Sequence, residues 1–178
     1  MKVVVLSKSR ANSICTHDLL NNGQFDLIVP EDQIPNYELA VMNANEIIGY
    51  PEHIQGLGEL RNWVLDYYDD EFIVMLDDDI RHFMQLMEMK AEKITHPDHV
   101  HHILEQTAIC AYDAGCSLWS LNQLADVRKY DHCDPFNVNT WVGTIVGVMG
   151  RPRKFTEVNK LKVDADFTLK TLKEERIV

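Results

Sequence analysis

Phe72-Ile73-Val74-Met75-Leu76-Asp77-Asp78-Asp79 joins five apolar side chains directly to three carboxylates. An uninterrupted apolar run of this length fits a strand covered on both faces, as in a parallel sheet. Ligands of open parallel sheets bind outside the carboxyl ends of the strands, and Asp77, Asp78 and Asp79 stand at such an end. Three adjacent carboxylates repel one another. A divalent cation relieves that repulsion, and Mg²⁺ or Mn²⁺ would bridge one or two carboxylates to the oxygens of a diphosphate. The ion would then act as a Lewis acid on a departing diphosphate. Strand alternation, continued through the cluster, puts Asp77 and Asp79 on one side and Asp78 on the other. A solvated acidic turn is the plain alternative.

The flanking sequence extends the same fold. Lys2–Leu6 reads as a strand. Asn12 or Ser13 caps a short predicted helix ending near Leu20, and Asn21-Asn22-Gly23 stops it. Phe25–Val29 is a second strand, closed by Pro30, and Glu46–Gly49 a short third. Gly56-Leu57-Gly58 precedes a helix with Leu57, Leu60, Val64 and Tyr67 as its apolar stripe. This alternation predicts a parallel sheet. Beyond the acidic cluster a helix is predicted with Ile80, Phe83, Met84 and Met87 on one face. Pro97 opens another, with Val100, Ile103, Leu104, Thr107, Ala108 and Ala111 inward. Short β-like pieces, Cys116–Ser120 and Thr144–Met149, flank a polar, aromatic stretch from Asp131 to Trp141. A basic run, Arg151-Pro152-Arg153-Lys154, precedes a last helix from Val163-Asp164-Ala165-Asp166 through Leu172. The fold class is α/β, with a mixed, mainly parallel central sheet flanked by helices. One domain spans 1–178, with a nucleotide-binding half at 1–80 and an acceptor half at 81–178.

A net charge of −11 over 178 residues and a pI near 5.1 repel nucleic acid and anionic membrane on average, although a local basic patch can override the average. Cys15, Cys110, Cys116 and Cys133 form no CxxC pair and read as reduced thiols. No run approaches the roughly 20 apolar residues of a membrane span, and the N-terminal apolar run is too short for a signal-peptide core. A soluble, cytoplasmic protein is expected. His96, His99, His101 and His102 crowd one helix start, but His102 points outward and His99 and His101 lie near the border of the apolar stripe, so a solvated face is expected. Trp63, Trp119 and Trp141 are read as core. Trp119 and Trp141 could alternatively stack on a sugar or base.

The sequence resembles the GT-A-fold glycosyltransferases, whose hallmark is a DxD motif after a hydrophobic strand. More narrowly, it is similar to the TET-associated glycosyltransferases of phages and bacteria. The resemblance lies in Ser7-Lys8-Ser9-Arg10-Ala11-Asn12 after the first strand, Pro30-Glu31 with Tyr37 beyond, and Gly56-Leu57 followed by Arg61. It continues through Leu76-Asp77-Asp78-Asp79-Ile80, Gly143-Thr144-Ile145-Val146-Gly147 and Val163-Asp164-Ala165-Asp166-Phe167-Thr168-Leu169. The pieces occur in family order and span almost the whole chain.

The resemblance implies a metal-dependent transferase using a nucleotide-sugar donor, a UDP-sugar first of all. Ser7, Arg10, Glu31, Arg61, Asp77 and Asp78 would serve the donor. Asp79, with Asp77 directly or through water, would hold Mn²⁺ or Mg²⁺. Asp164 or Asp166 would be the catalytic base, with Asp164 preferred. An acid in a first helical turn also merely suits the helix dipole. Relatives are associated with glycosylating hydroxymethylated DNA bases, and Arg151, Arg153, Lys154, Lys160 and Lys162 would suit a phosphate-bearing acceptor. The GT-A pattern often adds a C-terminal metal ligand, commonly histidine. No histidine follows His132, which leaves a truncated C-terminus, a water in that place or weak metal binding as alternatives.

Three rivals are weighed against this. A HAD-type phosphatase would place its acidic pair nearer the N-terminus and a Thr or Val where Arg81 stands. A nucleotidyltransferase would need a glycine-rich phosphate loop, and Ser7–Asn12 contains no glycine. A binding module without turnover would bind UDP and metal yet neither hydrolyse nor transfer.

Overall fold

The computed structural model describes residues 1–68, 72–88, 90–122, 136–150, 154–157 and 162–178. Among the described residues, six strands form one sheet in the order β3-β2-β1-β4-β8-β7. They are β1 (Lys2–Leu6), β2 (Asp26–Pro30), β3 (Glu46–Tyr50), β4 (Phe72–Asp77), β7 (Leu118–Trp119) and β8 (Ile145–Met149). The first four are parallel, while β8 runs antiparallel to both β4 and β7. The mainly parallel sheet expected from the apolar runs is therefore present.

Alternation along the strands divides the core between the two faces. Val3, Val5, Leu27, Val29, Val74 and Leu76 point to one face. There they meet Tyr37 of α1 (Ile34–Ala40) and Val100, Leu104 and Ala108 of α3 (Pro97–Asp113). Val4, Leu6, Ile28, Ile73, Met75, Val146 and Val148 point to the other. They meet Leu60 and Val64 of α2 (Leu57–Tyr67) and Val163 and Phe167 of α4 (Val163–Glu175). Double-sided cover is why each central strand reads as an unbroken apolar run.

Two predicted helices are not helices. The segment holding Ile80, Phe83, Met84 and Met87 is an antiparallel hairpin, β5 (Phe83–Met87) with β6 (Lys90–Ile94). The i, i+3, i+4, i+7 spacing imitates a helix stripe, yet Phe83 pairs with Ile94 and both are buried, while Met84 and Met87 are exposed. Cross-strand pairing decides the conformation there, which a local pattern does not report. The segment after Ser13 forms only a short 3₁₀ turn, Thr16–Leu19, with no side-chain cap; its backbone is tied to the acidic turn instead.

The helix at Pro97 keeps its expected inward face. On α2, Leu60 and Val64 are buried, whereas Leu57 and Tyr67 at the stripe's ends are exposed. The histidine group lies on the α3 surface as expected, with His101 near Glu105 at 3.3 Å. Trp119 is buried against Gly147, where an added Cβ would run into the indole. Trp141, in contrast, is exposed. His132, Cys133 and the first residues of the Asp131–Trp141 stretch fall outside the described residues, as do Arg151, Pro152, Arg153 and Lys160. Among the described residues, no helix is long and apolar enough to cross a membrane.

Candidate active site

The strand order turns at β1, whose connection leads to β2 on one side while β4 lies on the other. Parallel sheets open a ligand crevice at such a point. A cavity of about 350 Å³ lies there, walled by Ser7, Lys8 and Arg10 after β1, Tyr50 at the end of β3, Leu57 and Leu60 of α2, and Asp77, Asp78 and Asp79.

The strand ends at Asp77 and a turn begins at Asp78, so the alternation expected through the cluster stops there. Asp78 is buried. It accepts a hydrogen bond from Ser7 Oγ (2.5 Å) and one from Arg10 Nη1 (2.9 Å). Asp79 is exposed and accepts from the same Arg10 nitrogen at 3.1 Å. Hydrogen bonding to Asp79 and Asp78 raises the Arg10 pKa above its usual value. Since the Ser7 hydroxyl donates to Asp78, the Tyr37 hydroxyl must donate to Ser7 (2.7 Å) and accept from the Arg10 backbone N–H (3.0 Å). Asp77, on the same cavity wall, has its Oδ1 3.8 Å from Arg61 Nη2. Burial raises the Asp77 pKa, Arg61 opposes the rise, and the neighbouring carboxylates add to it.

Thr16 clamps this turn from the side and is a site residue the sequence pattern does not flag. Its hydroxyl donates to the Asp77 carbonyl (2.6 Å) and accepts from the Ile80 N–H (2.9 Å). The Cys15 and Thr16 N–H groups donate to the Asp78 carbonyl. A lone Thr between polar residues carries no local signal for such a role. Tyr50 also lines the cavity, and burial pushes its pKa up to about 12.

Arg61 is 1% exposed and does not line the cavity. From α2 it reaches Asp77 of β4 and Asp164 Oδ1 at the start of α4, and its guanidinium lies over the Phe155 ring at 5.5 Å. Burial lowers its pKa to about 10, with Asp77 opposing. The chain of charges Asp77–Arg61–Asp164 thus ties Asp164 to the acidic cluster. Asp166 instead pairs with Lys170 of its own helix at 2.7 Å. Glu31 lies at the carboxyl end of β2, its Cα and Cβ close to Gly49, and does not line the cavity.

Among the described residues, no three His, Cys, Asp or Glu side chains converge as a ready-made metal cage. The donor set instead suits a cation completed by ligand oxygens. Asp77 and Asp79 line one cavity, with side chains 38% and 61% exposed, and Mg²⁺ and Mn²⁺ commonly take one or two carboxylates plus phosphate oxygens.

Among solved structures, S. aureus TarS 1-349 in complex with UDP matches with a TM-score of 0.55 at 16% identity, over 96% of this chain and 55% of that one. The complex of TarS 1-349 with UDP-GlcNAc matches with a TM-score of 0.51 at 14% identity, over 96% and 53%. This chain therefore spans about 55% of the length of those structures. No protein of curated function matches it. The sheet, its flanking helices and the crevice at the acidic strand end define the GT-A class of glycosyltransferase fold. Within that class, the chain belongs to the TET-associated glycosyltransferase family, whose model matches residues 1–177.

Proposed function

We propose that this chain transfers a sugar from a UDP-sugar to an acceptor hydroxyl, with the donor's diphosphate over Asp77–Asp79. The observation that carries the reading is the cavity in which those three carboxylates meet Lys8 and Arg10 at the carboxyl ends of β1 and β4. The fold neighbours that hold UDP and UDP-GlcNAc support it.

Lys8 and Arg10 supply positive charge to the diphosphate. Asp78 holds Arg10, and Ser7, hydrogen-bonded to Asp78, lines the same wall within reach of the donor; Glu31, which does not line the cavity, would act only from outside it. Tyr50 and Leu57 offer flat and apolar wall to the nucleoside. Asp79 and Asp77 would hold Mn²⁺ or Mg²⁺, which supplies electrostatic stabilisation of the leaving diphosphate.

Asp164 is assigned as general base. Asp164 does not line the cavity but is joined to Asp77 through Arg61, and its carboxylate would take the proton of an acceptor hydroxyl as that oxygen bonds to the anomeric carbon. The bond from that carbon to the diphosphate breaks, and its electron pair leaves with the diphosphate. Asp166 is the second candidate, set back by its pairing with Lys170. The acceptor is assigned as a hydroxymethylated base in DNA. The TET-associated family and the basic residues Arg151, Arg153, Lys154, Lys160 and Lys162 just before α4 support this.

A screen of UDP-sugars for Mn²⁺- or Mg²⁺-dependent donor hydrolysis tests the reading, with calorimetric UDP binding in parallel. Wild type is expected to bind UDP more tightly with metal, and Asp79→Asn to lose that gain. Equal affinity in Asp79→Asn would sink the assignment. Asp164→Asn is expected to abolish transfer while keeping UDP binding.

A further inference from the structure

Arg10 is placed unusually for a phosphate ligand. Its backbone is fixed: its N–H donates to Tyr37, and Ser9 beside it is held by Gln33 through two hydrogen bonds, one of 2.7 Å and one of 3.1 Å. Its side chain is half-exposed, yet one nitrogen spans two carboxylates. Asp79, the more open of the two carboxylates proposed to bind a cation, therefore already has one. Asp78 keeps Ser7 as a second partner whether or not Arg10 stays.

A divalent ion that approaches Asp79 must displace this guanidinium or sit beside it, and like charges at such distances oppose that. Displacement from Asp79 leaves Arg10 paired with Asp78 alone, with its guanidinium close to the incoming cation. A diphosphate arriving with the ion removes the penalty, because a guanidinium pairs with phosphate oxygens in the same forked geometry that it uses for carboxylates. The pinned backbone lets the side chain swing between these partners without moving the loop.

We propose that Arg10 is a resident counter-ion for Asp79, handed over to the diphosphate as a divalent cation takes its place, so that metal and nucleotide bind as a pair. The proposal rests on the donor-site reading above. Linkage makes the effect reciprocal: the factor by which UDP tightens the metal is the factor by which the metal tightens UDP.

The test measures Mn²⁺ binding by electron paramagnetic resonance, with and without UDP, on wild type, Arg10→Gln and Arg10→Lys, with melting curves to confirm folding. In wild type, UDP is expected to tighten Mn²⁺ by about tenfold or more, the size of a charge-assisted hydrogen bond. Arg10→Gln is expected to bind Mn²⁺ alone about two- to fivefold more tightly, as removal of an exposed ion pair allows, and to lose most of the UDP enhancement. Arg10→Lys is expected to restore that enhancement in part, since an ammonium lacks the fork. The two effects in Arg10→Gln have opposite signs, which a merely structural residue would not produce.

Mn²⁺ alone binding Arg10→Gln no more tightly than wild type, with UDP enhancement intact in wild type, overturns the role of Arg10 and spares the donor site. Wild type that fails to bind UDP at all overturns the donor-site reading. The Mn²⁺-only comparison then still decides whether Arg10 is the counter-ion of Asp79.

Discussion

Arg61→Met removes the buried guanidinium and keeps most of its volume. What remains is two carboxylates, Asp77 and Asp164, that no longer share a cation. Breaking a fully buried pair from one side costs about 3–5 kcal/mol. Here both partners keep some solvent, with side chains 38% and 21% exposed, so water relieves part of the loss. The contact with Phe155 goes as well, at about 0.5–2 kcal/mol. A net loss of about 3 kcal/mol is expected, and for a domain of this size that lowers Tm by about 6–12 °C. The assay is thermal and urea unfolding of wild type, Arg61→Met, Asp164→Asn and the double variant. If Arg61 and Asp164 act together, Asp164→Asn costs less in the Arg61→Met background than in wild type, with a coupling of about 1 kcal/mol or more. A Tm drop under about 2 °C, or additivity within about 0.5 kcal/mol, would refute the claim that this ion pair joins α2, β4 and α4.

Thr16→Val keeps shape but strands the Asp77 carbonyl and the Ile80 N–H; a loss of about 2 kcal/mol is expected, together with weaker metal-dependent UDP binding in calorimetry. Gly147→Ala drives a methyl into the Trp119 indole, so a Tm drop of at least about 5 °C, or insoluble protein, is expected from overpacking of a central strand. Metal-dependent UDP affinity is expected to fall as the medium is acidified, beginning above the ordinary aspartate value of 3.8, because the Asp77 pKa is raised and a protonated carboxyl cannot hold the ion. For stability the sign is the reverse. Folded Asp77 takes its proton before unfolded Asp77 does, so its contribution is present in acid and lost as pH rises through the raised pKa. Asp77→Asn should flatten that slope in pH-dependent unfolding curves.

Strands β1, β2 and β4 were legible because cover on both faces makes each a largely apolar run, whereas β3, at the sheet's edge, offered only a short piece with Glu46 and Gly49 in it. Asp77–Asp79 stood out because three carboxylates are concentrated at a strand end, while Arg10 was singled out through the family resemblance alone. The hairpin at Phe83–Ile94 was not, since its apolar spacing matches a helix as well as a strand and only the pairing of Phe83 with Ile94 separates them. Arg61 was expected to project toward the donor pocket, and its burial under α4 follows from contacts with Asp164 and Phe155 about a hundred residues away. Trp141 illustrates the opposite error: a large aromatic read as core is exposed, while Trp119 is buried because Gly147 leaves room for it.

The antiparallel pairing of β4 with β8 bears on the order in which the molecule can be assembled during synthesis. Phe72 pairs with Met149, and the Asp77 N–H donates to the Thr144 carbonyl. The strand that presents the carboxylates therefore waits, along one whole edge, for residues made some seventy positions later. Pairings of such long range are slow to form. A nascent chain ending near residue 80 would hold every aspartate of the cluster yet leave half of β4 unpaired and Arg61 without Asp164. Ribosome-stalled chains of increasing length should consequently acquire UDP binding late, once β8 and α4 have emerged.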